Sequence, residues 1–292
     1  MSVMRFENVT AWDQLYSSEE QERFLELVET GQVLLFPNLP FAAHDTERIL
    51  FSPATSDGKS KNVVYDGSSG LVFGTALLGN ERQVLQSFMG RFTKGARNLI
   101  EHLFPRYVPY LAPRLASFRP VAVEGRNTSS KKDDTRLHVD AFASRPNQGR
   151  RILRVFSNTN PHNQPRTWLV GEPFEPYAKR LLPRVRSQWP LEAPLLKALH
   201  VTKSTRTPYD HAMLGLHDQG KLDDEYQTTA PRERIDFPAG STWVCFTDQV
   251  LHAALGGQFL LEQTFFLPVA GMGDAQRSPL RVLERLAGRP LA

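Results

Sequence analysis

The sequence predicts an α+β fold with a mainly β core and flanking helices. Three observations support this prediction. The chain has 292 residues, of which 40% are hydrophobic and 23% are charged, so it can bury a sizeable core and is globular in composition. Its first third carries helical patterns around one buried strand. From about Arg136 onward, short apolar or β-branched runs alternate with turn residues.

The first hundred residues are predicted to be largely helical. Residues 18–21 (SEEQ) indicate a capping box, and the helix that follows them runs to about Glu29. Residues 33–36 (VLLF) indicate a buried strand that ends at Pro37. A second helix is predicted over residues 81–104. We expect this helical N-terminal region, residues 1–110, to pack on a β core over residues 111–270.

The second half of the chain is predicted to hold the strands. They are expected at residues 137–142, 152–157, 167–170, 241–247 and 259–267. Helical insertions are predicted at residues 173–182 and 208–224, and a short amphipathic helix at residues 278–288. We expect one domain over residues 1–292, with the last helix packing on the core or on a second copy.

Composition excludes several classes of protein. The one cysteine, Cys245, rules out an internal disulfide framework and a cysteine-rich zinc site, and its apolar surroundings predict a core residue. The first residues lack the apolar region of a signal peptide, and no apolar run reaches the roughly 18 residues of a membrane span. These features predict a soluble, cytoplasmic protein.

Positive charge is concentrated near the middle of the chain. Between Arg114 and Arg154 there are ten Lys and Arg residues, Arg126 among them, against four acidic residues. This surplus indicates either an anionic substrate or a solvated basic face. No nucleic-acid-binding motif accompanies it, and aromatic residues are not interleaved with it at a stacking spacing, so nucleic acid is not expected as a partner.

One H-x-D motif, His138-Val139-Asp140, lies within this basic stretch. On a strand, residues two apart point to the same face, so His138 and Asp140 can hold one metal ion together. The motif alone is weak evidence, because chance gives about 0.4 such motifs in a chain of this composition. The alternative is a surface His beside a solvated Asp.

A second segment strengthens the metal hypothesis. Residues 236–243 (DFPAGSTW) form a turn that enters an apolar strand, which is followed by a polar corner and then by His252. This order suits a ligand at the rim of a small β-barrel. Two His and one carboxylate form the facial triad of non-haem Fe(II) sites, and the absence of thiolate ligands argues against structural zinc. His211 and His217 lie six residues apart in a predicted helical insertion, so they do not share a helical face and are expected to be structural or to lie on the substrate side.

At these residues the chain resembles the double-stranded β-helix Fe(II)/2-oxoglutarate oxygenases. The segments HVDAFASRPNQGRRILRVFSNTNP, YDHAMLGLHDQGKLDDEYQ and DQVLHAALGGQFLLEQTFFLP are, more closely, similar to the Kdo hydroxylase family. This resemblance extends from about Leu34 to Pro268. It implies a double-stranded β-helix fold, that is, a jelly roll of the cupin-like type.

The resemblance also implies an activity. Members of this family hydroxylate C3 of 3-deoxy-D-manno-oct-2-ulosonic acid (Kdo) in the inner core of lipopolysaccharide, giving Ko, with Fe(II), 2-oxoglutarate and molecular oxygen. The expected partner is Kdo-containing lipid A or lipopolysaccharide, which would bring the enzyme to the inner membrane surface as a peripheral protein. Asp140 favours hydroxylation, because halogenating relatives lack this carboxylate.

One departure from related oxygenases concerns 2-oxoglutarate. Many of them hold its distal carboxylate with an Arg about ten residues after the second His, where this chain has Leu260-Leu261-Glu262-Gln263-Thr264. We expect Arg154 to supply the cation, since an Arg within an apolar strand is costly unless it is paired. The alternative is an edge-strand Arg that reaches solvent. Arg150 and Arg151 are the next candidates, and Gln263 or Thr264 is expected to add a hydrogen bond.

Basic residues around the H-x-D motif are candidates for binding the anionic groups of the substrate. These candidates are Lys131, Lys132, Arg136 and Arg145. Residues 127–130 (NTSS) are either a loop over the site or a plain connection. Two alternative functions stay open: an oxygenase of the same fold that acts on another small metabolite or a protein side chain, and an inactive binding module.

Overall fold

The fold comes from a computed structural model that describes residues 2–124 and 129–292. Arg126 of the basic stretch, and Asn127 and Thr128 of the predicted loop, lie outside the described residues. The strands are β1 (Val3–Arg5), β2 (Val33–Phe36), β3 (Val63–Asp66), β4 (Leu71–Phe73), β5 (Ala112–Arg119), β6 (Arg151–Asn158), β7 (Arg166–Gly171), β8 (Arg232–Phe237), β9 (Thr242–Phe246), β10 (His252–Gly256) and β11 (Leu260–Leu267). The α-helices are α1 (Ser18–Glu29), α2 (Gly79–Leu103), α3 (Phe174–Leu181), α4 (Glu192–Ala198), α5 (Pro208–Leu222), α6 (Asp224–Thr229) and α7 (Pro279–Ala287).

The strands form two sheets. The larger has eight strands in the order β1-β2-β9-β6-β11-β5-β3-β4, and the smaller has three in the order β10-β7-β8. Apart from the parallel β1–β2 pair, the paired strands run antiparallel. The prediction of a mixed fold built on β structure is therefore confirmed at the level of helices around a large, mainly antiparallel sheet.

The central strands of the large sheet are buried on both faces. In β2, Val33 and Leu35 pack with residues of the small sheet, whereas Leu34 and Phe36 belong to the core that also contains α1 and α2. Successive side chains of a strand point to opposite faces, so both sets must be apolar. Cys245 lies in the layer between the sheets and is fully buried, as predicted.

Most predicted helices and strands are present, with two corrections in the N-terminal region. The capping box of α1 starts at Ser17, because its hydroxyl accepts from the Glu20 amide while the Glu20 carboxylate accepts from the Ser17 amide. Residues 1–110 are also not only helical, since β1 to β4 lie there and join the large sheet. Those strands have three or four residues, too short for a clear alternating pattern.

The prediction of a strand over residues 137–142 was wrong. The backbone there makes a single bridge, in which the amides of His138 and His252 each donate to the other's carbonyl. Asp140 then donates its amide to Thr247. The segment is tied to β10 and to the end of β9 at separate points, which holds it beside the small sheet without a regular ladder.

Among the described residues, no helix combines the length and the apolar composition that a bilayer span requires.

Candidate active site

The structure brings His138, Asp140 and His252 together. One potential ligand atom from each lies within 4.8 Å of the other two, and among the described residues this is the group identified as able to hold a metal ion. His138 Nε2 is 4.0 Å from Asp140 Oδ1, and the two imidazole centroids are 4.7 Å apart. His252 begins β10, so the strand pairing that sets β10 against β7 also positions this ligand.

Backbone carbonyls orient both imidazoles. His138 Nδ1 lies 2.7 Å from the carbonyl of Arg136, and His252 Nδ1 lies 2.8 Å from the carbonyl of Val250. A carbonyl only accepts hydrogen bonds, so each Nδ1 carries the proton and donates. Each Nε2 keeps its lone pair for a metal, which is how metal-binding histidines are usually oriented.

Burial and neighbouring charge set the protonation of the ligands. Burial, and then the nearby His252, lower the pKa of His138 well below its ordinary value. Burial likewise lowers the pKa of His252. For Asp140, burial raises the pKa, but the Arg154 guanidinium and the two imidazoles outweigh it and hold the pKa below its usual range. Neutral imidazoles beside a carboxylate are the protonation states that a divalent metal needs.

The donor set fits non-haem iron. Two imidazoles and one carboxylate form a facial triad, and no thiolate accompanies them because Cys245 is in the core between the sheets. Asp140 Oδ2 is buried and makes no well-aligned hydrogen bond to the described residues, although Arg154 Nη2 is 3.0 Å away. A buried oxygen of this kind is suited to a cation.

The three residues line a cavity of about 880 Å³ between the two sheets. β5, β6 and β11 of the large sheet and β7 and β10 of the small sheet contribute to its walls. Trp168 of β7 stacks on the His252 ring with the centroids 5.0 Å apart. The cavity is large enough for a sugar acid together with a small dicarboxylate.

A chain of alternating charges crosses the wall that the large sheet provides. Arg154 contacts Asp140 at 3.0 Å and Glu262 at 2.6 Å. Glu262 also accepts from Arg119 at 2.6 Å, and Arg119 lies 3.6 Å from Asp134. Buried charges survive only when they are paired in this way, so the chain fixes the guanidinium of Arg154 beside the metal ligands.

Arg154 and Thr264 line the cavity, whereas Gln263 does not. The pairing of β11 with β6 sets Thr264 opposite Arg154, so the two share a face. Gln263 points to the other face, where its side-chain amide donates to the carbonyls of Arg114 and Thr264. Adjacent residues of one strand point to opposite faces, so of the two candidates Thr264, and not Gln263, faces the cavity.

Arg150 and Arg151, the alternatives to Arg154, lie away from the cavity. Arg151 is fully buried, donates to Asp248 at 2.8 Å and lies over the Phe246 ring at 3.8 Å. Arg150 donates to the Asn147 carbonyl and lies 4.7 Å from the Phe266 ring centroid. Both side chains are engaged in holding the start of β6.

Three of the four candidate substrate residues line the cavity. They are Lys131, Lys132 and Arg145. Lys131 Nζ is held 2.7 Å from Asp218 on α5. Arg136 does not line the cavity; its guanidinium pairs with Asp224, and its carbonyl accepts from His138. Residues 134–136 form a turn and a bend, so the rule that residues two apart share a face does not extend from His138 back to Arg136.

Several cavity residues were not predicted from the sequence. They are Lys61, Arg119, Asp134, Arg166, Trp168 and Glu262. A signal existed for Glu262, since a charge within the apolar strand LLEQTFFL is the same kind of anomaly that singled out Arg154. His217 also lines the cavity, with its ring 5.4 Å from that of His138.

The comparison with protein families decides where the chain belongs. The family described as 3-deoxy-D-manno-oct-2-ulosonic acid (Kdo) hydroxylase matches residues 11–290. The chain belongs to the Kdo hydroxylase family. This match confirms the resemblance seen in the sequence and extends it over almost the whole chain. A comparison with curated proteins found no match.

Solved structures agree with the family. The Kdo hydroxylase KdoO, described as a non-heme Fe(II) α-ketoglutarate-dependent dioxygenase in complex with α-ketoglutarate and Fe(III), is 43% identical with a TM-score of 0.96, over 100% of this chain and 98% of that one. A second structure of KdoO, described in the same way but in complex with cobalt(II), is 44% identical with a TM-score of 0.97, over 100% of this chain and 97% of that one. The first of these structures contains the iron and the cosubstrate that are expected for this family member.

Proposed function

We propose that this Kdo hydroxylase family member is an Fe(II)/2-oxoglutarate-dependent dioxygenase that hydroxylates C3 of Kdo in Kdo-lipid A or the lipopolysaccharide inner core, giving Ko. The observation that carries the proposal is the convergence of His138, Asp140 and His252 at the wall of a basic cavity. Its support is the full-length likeness to relatives described as hydroxylases of this kind.

His138, Asp140 and His252 would hold the iron. Bound iron and 2-oxoglutarate together supply the oxidising chemistry that inserts one atom of dioxygen into a C–H bond. The chain supplies neutral imidazoles, an ionised carboxylate and a buried setting that excludes water. The Arg136 and Val250 carbonyls keep each Nδ1 protonated and so aim each Nε2 at the ion.

Arg154 and Thr264 would anchor 2-oxoglutarate. Both face the cavity from paired positions, and Arg154 is within reach of Asp140. A buried carboxylate needs a charge-assisted partner, and a guanidinium can offer two parallel hydrogen bonds. Arg119 and Arg166 line the same cavity and are further sources of positive charge.

Lys131, Lys132 and Arg145 would meet the anionic groups of the sugar and its lipid. Kdo carries a carboxylate and lipid A carries phosphates, which match three cations on the cavity wall. We leave Arg136 out of this set, because its side chain does not line the cavity and pairs with Asp224.

The two sheets and the cavity between them support a double-stranded β-helix, and we propose one domain over residues 1–292. Strands from the N-terminal region pair with strands of the second half, as β2 does with β9 and β3 with β5, so the two regions share one sheet. A lipid-linked substrate made at the inner membrane would place the protein on its cytoplasmic surface as a peripheral enzyme.

The test is mass spectrometry of purified Kdo-lipid A after incubation with the protein, Fe(II), 2-oxoglutarate and air. We expect a product one oxygen atom heavier, with the oxygen on C3 of Kdo and an equal amount of succinate formed. Succinate formed without a heavier sugar would indicate another substrate, and no succinate with any candidate would indicate an inactive binding module.

A further inference from the structure

The segment between α3 and α5 exposes a group of large apolar side chains. Trp189, Leu191, Leu195, Leu199 and Val201 are 70%, 78%, 58%, 64% and 52% exposed, and we call them the apolar patch. All five fall within a short stretch around α4. Leu191, Leu195 and Leu199 are spaced four residues apart along α4 and its caps, which places them on one side of the helix, and an exposed apolar side of this kind indicates a binding partner.

The surroundings of the apolar patch are positively charged. From Lys179 to Arg206 the chain has seven basic residues and a single acidic residue, Glu192. Glu192 is already paired with Arg186 at 2.8 Å. Within the part of the chain that the structure describes, Lys197 and Lys203 have no acidic partner. The partner that this charge favours is anionic, and a second copy of the same basic patch would be repelled.

The chain just after the apolar patch is hydrogen-bonded to the segment that carries Asp140 and Arg145, two residues of the cavity wall. The Lys203 amide donates to the Ser144 carbonyl at 2.8 Å, and Arg206 Nη2 donates to the Ala143 carbonyl at 2.7 Å. These two carbonyls lie between Asp140, a candidate metal ligand, and Arg145, which lines the cavity. Whatever binds the patch is therefore brought close to the site of reaction.

We propose that the apolar patch is the surface by which the protein docks on an anionic phospholipid bilayer. Leu191, Leu195 and Leu199 enter the boundary between headgroups and acyl chains, and Trp189 sits at that boundary, where Trp is favoured. Lys197 and Lys203 contact the anionic headgroups. The choice of a bilayer over an acidic protein rests on the proposed function, since that function requires a lipid-linked substrate.

The first test is flotation with vesicles of phosphatidylethanolamine and phosphatidylglycerol. The triple variant Leu191→Ser, Leu195→Ser and Leu199→Ser should bind about tenfold or more weakly, because the affinity of interfacial segments scales with buried apolar area. The matched control replaces Leu15, Leu71 and Leu78 by Ser; these are 80%, 49% and 74% exposed and lie outside the patch. The control variant should bind like the unaltered protein.

Charge and tryptophan fluorescence give two further readouts. Lys197→Glu with Lys203→Glu should weaken binding to the anionic vesicles by about fivefold or more per position. Of the four Trp residues, Trp168 and Trp243 are buried and Trp189 is 70% exposed, so vesicles should shift its emission to the blue and brominated lipids should quench it. Trp189→Phe should lose both effects while the vesicles still bind.

The docking proposal is overturned if the patch and control variants bind vesicles equally, if the unaltered protein does not bind them, or if the patch variant only converts a dimer to a monomer. Turnover of a lipid-free Kdo disaccharide is measured separately and should be unchanged in the patch variant. If the protein turns over that saccharide but does not bind vesicles, the docking proposal is wrong and the proposed function still holds. If the protein binds vesicles through the apolar patch but is inactive on every Kdo substrate, the proposed function is wrong and the docking proposal still holds.

Discussion

At Arg154 the chain places a guanidinium in a strand whose eight residues are all buried. It lies 3.0 Å from Asp140 and 2.6 Å from Glu262, which compensates for the loss of hydration. Because Glu262 is ten residues after His252, a carboxylate stands where related oxygenases carry the cation. We propose that Arg154 on the neighbouring strand supplies the positive charge instead, and Glu262 contacts its guanidinium at 2.6 Å.

Replacing His138 by Ala should abolish iron-dependent activity. The variant loses one of three ligands and leaves the Arg136 carbonyl without its donor. We expect succinate formation to fall to background and the weak visible absorption of the anaerobic iron–2-oxoglutarate complex to be absent. His44→Ala is the control, because the His44 side chain is 66% exposed. Retained succinate formation in the His138 variant would contradict the ligand assignment.

Replacing Arg154 by Met should raise the 2-oxoglutarate concentration needed for half-maximal rate by about 10- to 100-fold, the worth of a charge-assisted hydrogen bond. Initial rates of succinate formation over a range of 2-oxoglutarate concentrations measure it. Arg150→Met is the control, since Arg150 does not line the cavity and its requirement should be unchanged. A near-normal requirement in the Arg154 variant would move the anchor to Arg119 or Arg166.

At the scale of elements, β6 and β11 show what a sequence pattern can and cannot predict. Both are mostly apolar runs bounded by turn residues, so their existence as strands was predictable. Which face each residue occupies was visible only through the charges at Arg154 and Glu262, which mark the cavity side. Because side chains alternate between the two faces of a strand, the charge at Glu262 would have placed its neighbour Gln263 on the face away from the cavity. Strands such as β8, whose residues are mostly exposed, carried no comparable signal.

Residues 137–142 show that a strand-like sequence pattern can occur where no regular strand forms. Their apolar and polar residues alternate as in a strand, yet only His138 is bridged to a neighbouring strand. The alternation still predicted that His138 and Asp140 point the same way, because an extended backbone gives that result without a full ladder. Pairing depends on distant residues such as His252 and Thr247, which a local pattern does not report.

Replacing Arg151 by Met should destabilise the fold. The change leaves Asp248 buried without its ion-pair partner and removes a cation from the Phe246 ring. Breaking a buried pair by removing one member costs about 3–5 kcal/mol of unfolding free energy. Chemical denaturation of the metal-free protein measures it. Arg150→Met loses a hydrogen bond and a ring contact but no buried ion pair, so it should cost only about 1 kcal/mol; equal values for the two variants would contradict the structural role of Arg151.

At the scale of the whole molecule, the site is assembled from residues that are far apart in sequence. Arg119 and Glu262 are 143 positions apart, yet they make one of the shortest ion pairs in the cavity wall. The metal ligands could be predicted because their residue types and order are specific. Lys61, Asp134 and Trp168 could not, because their roles arise only once the loop before β3, the turn before His138 and β7 are brought around one cavity.

The fold also explains why an anionic substrate is expected. Among the described residues of the basic stretch, some cations line the cavity, whereas others, such as Arg151 in the core and Arg136 beside Asp224, do not. Only the first group can bind a substrate. A count of charges over a segment therefore overstated the number of residues available for recognition.

The measurement that tests the central claim most directly is the fate of heavy-isotope dioxygen during turnover of Kdo-lipid A. Mass spectrometry of both products should find one heavy oxygen atom in succinate and the other on C3 of the Kdo unit, with both lost in the His138→Ala variant. Heavy oxygen that reaches succinate but never the sugar, or a sugar oxygen that comes from water, would contradict the account.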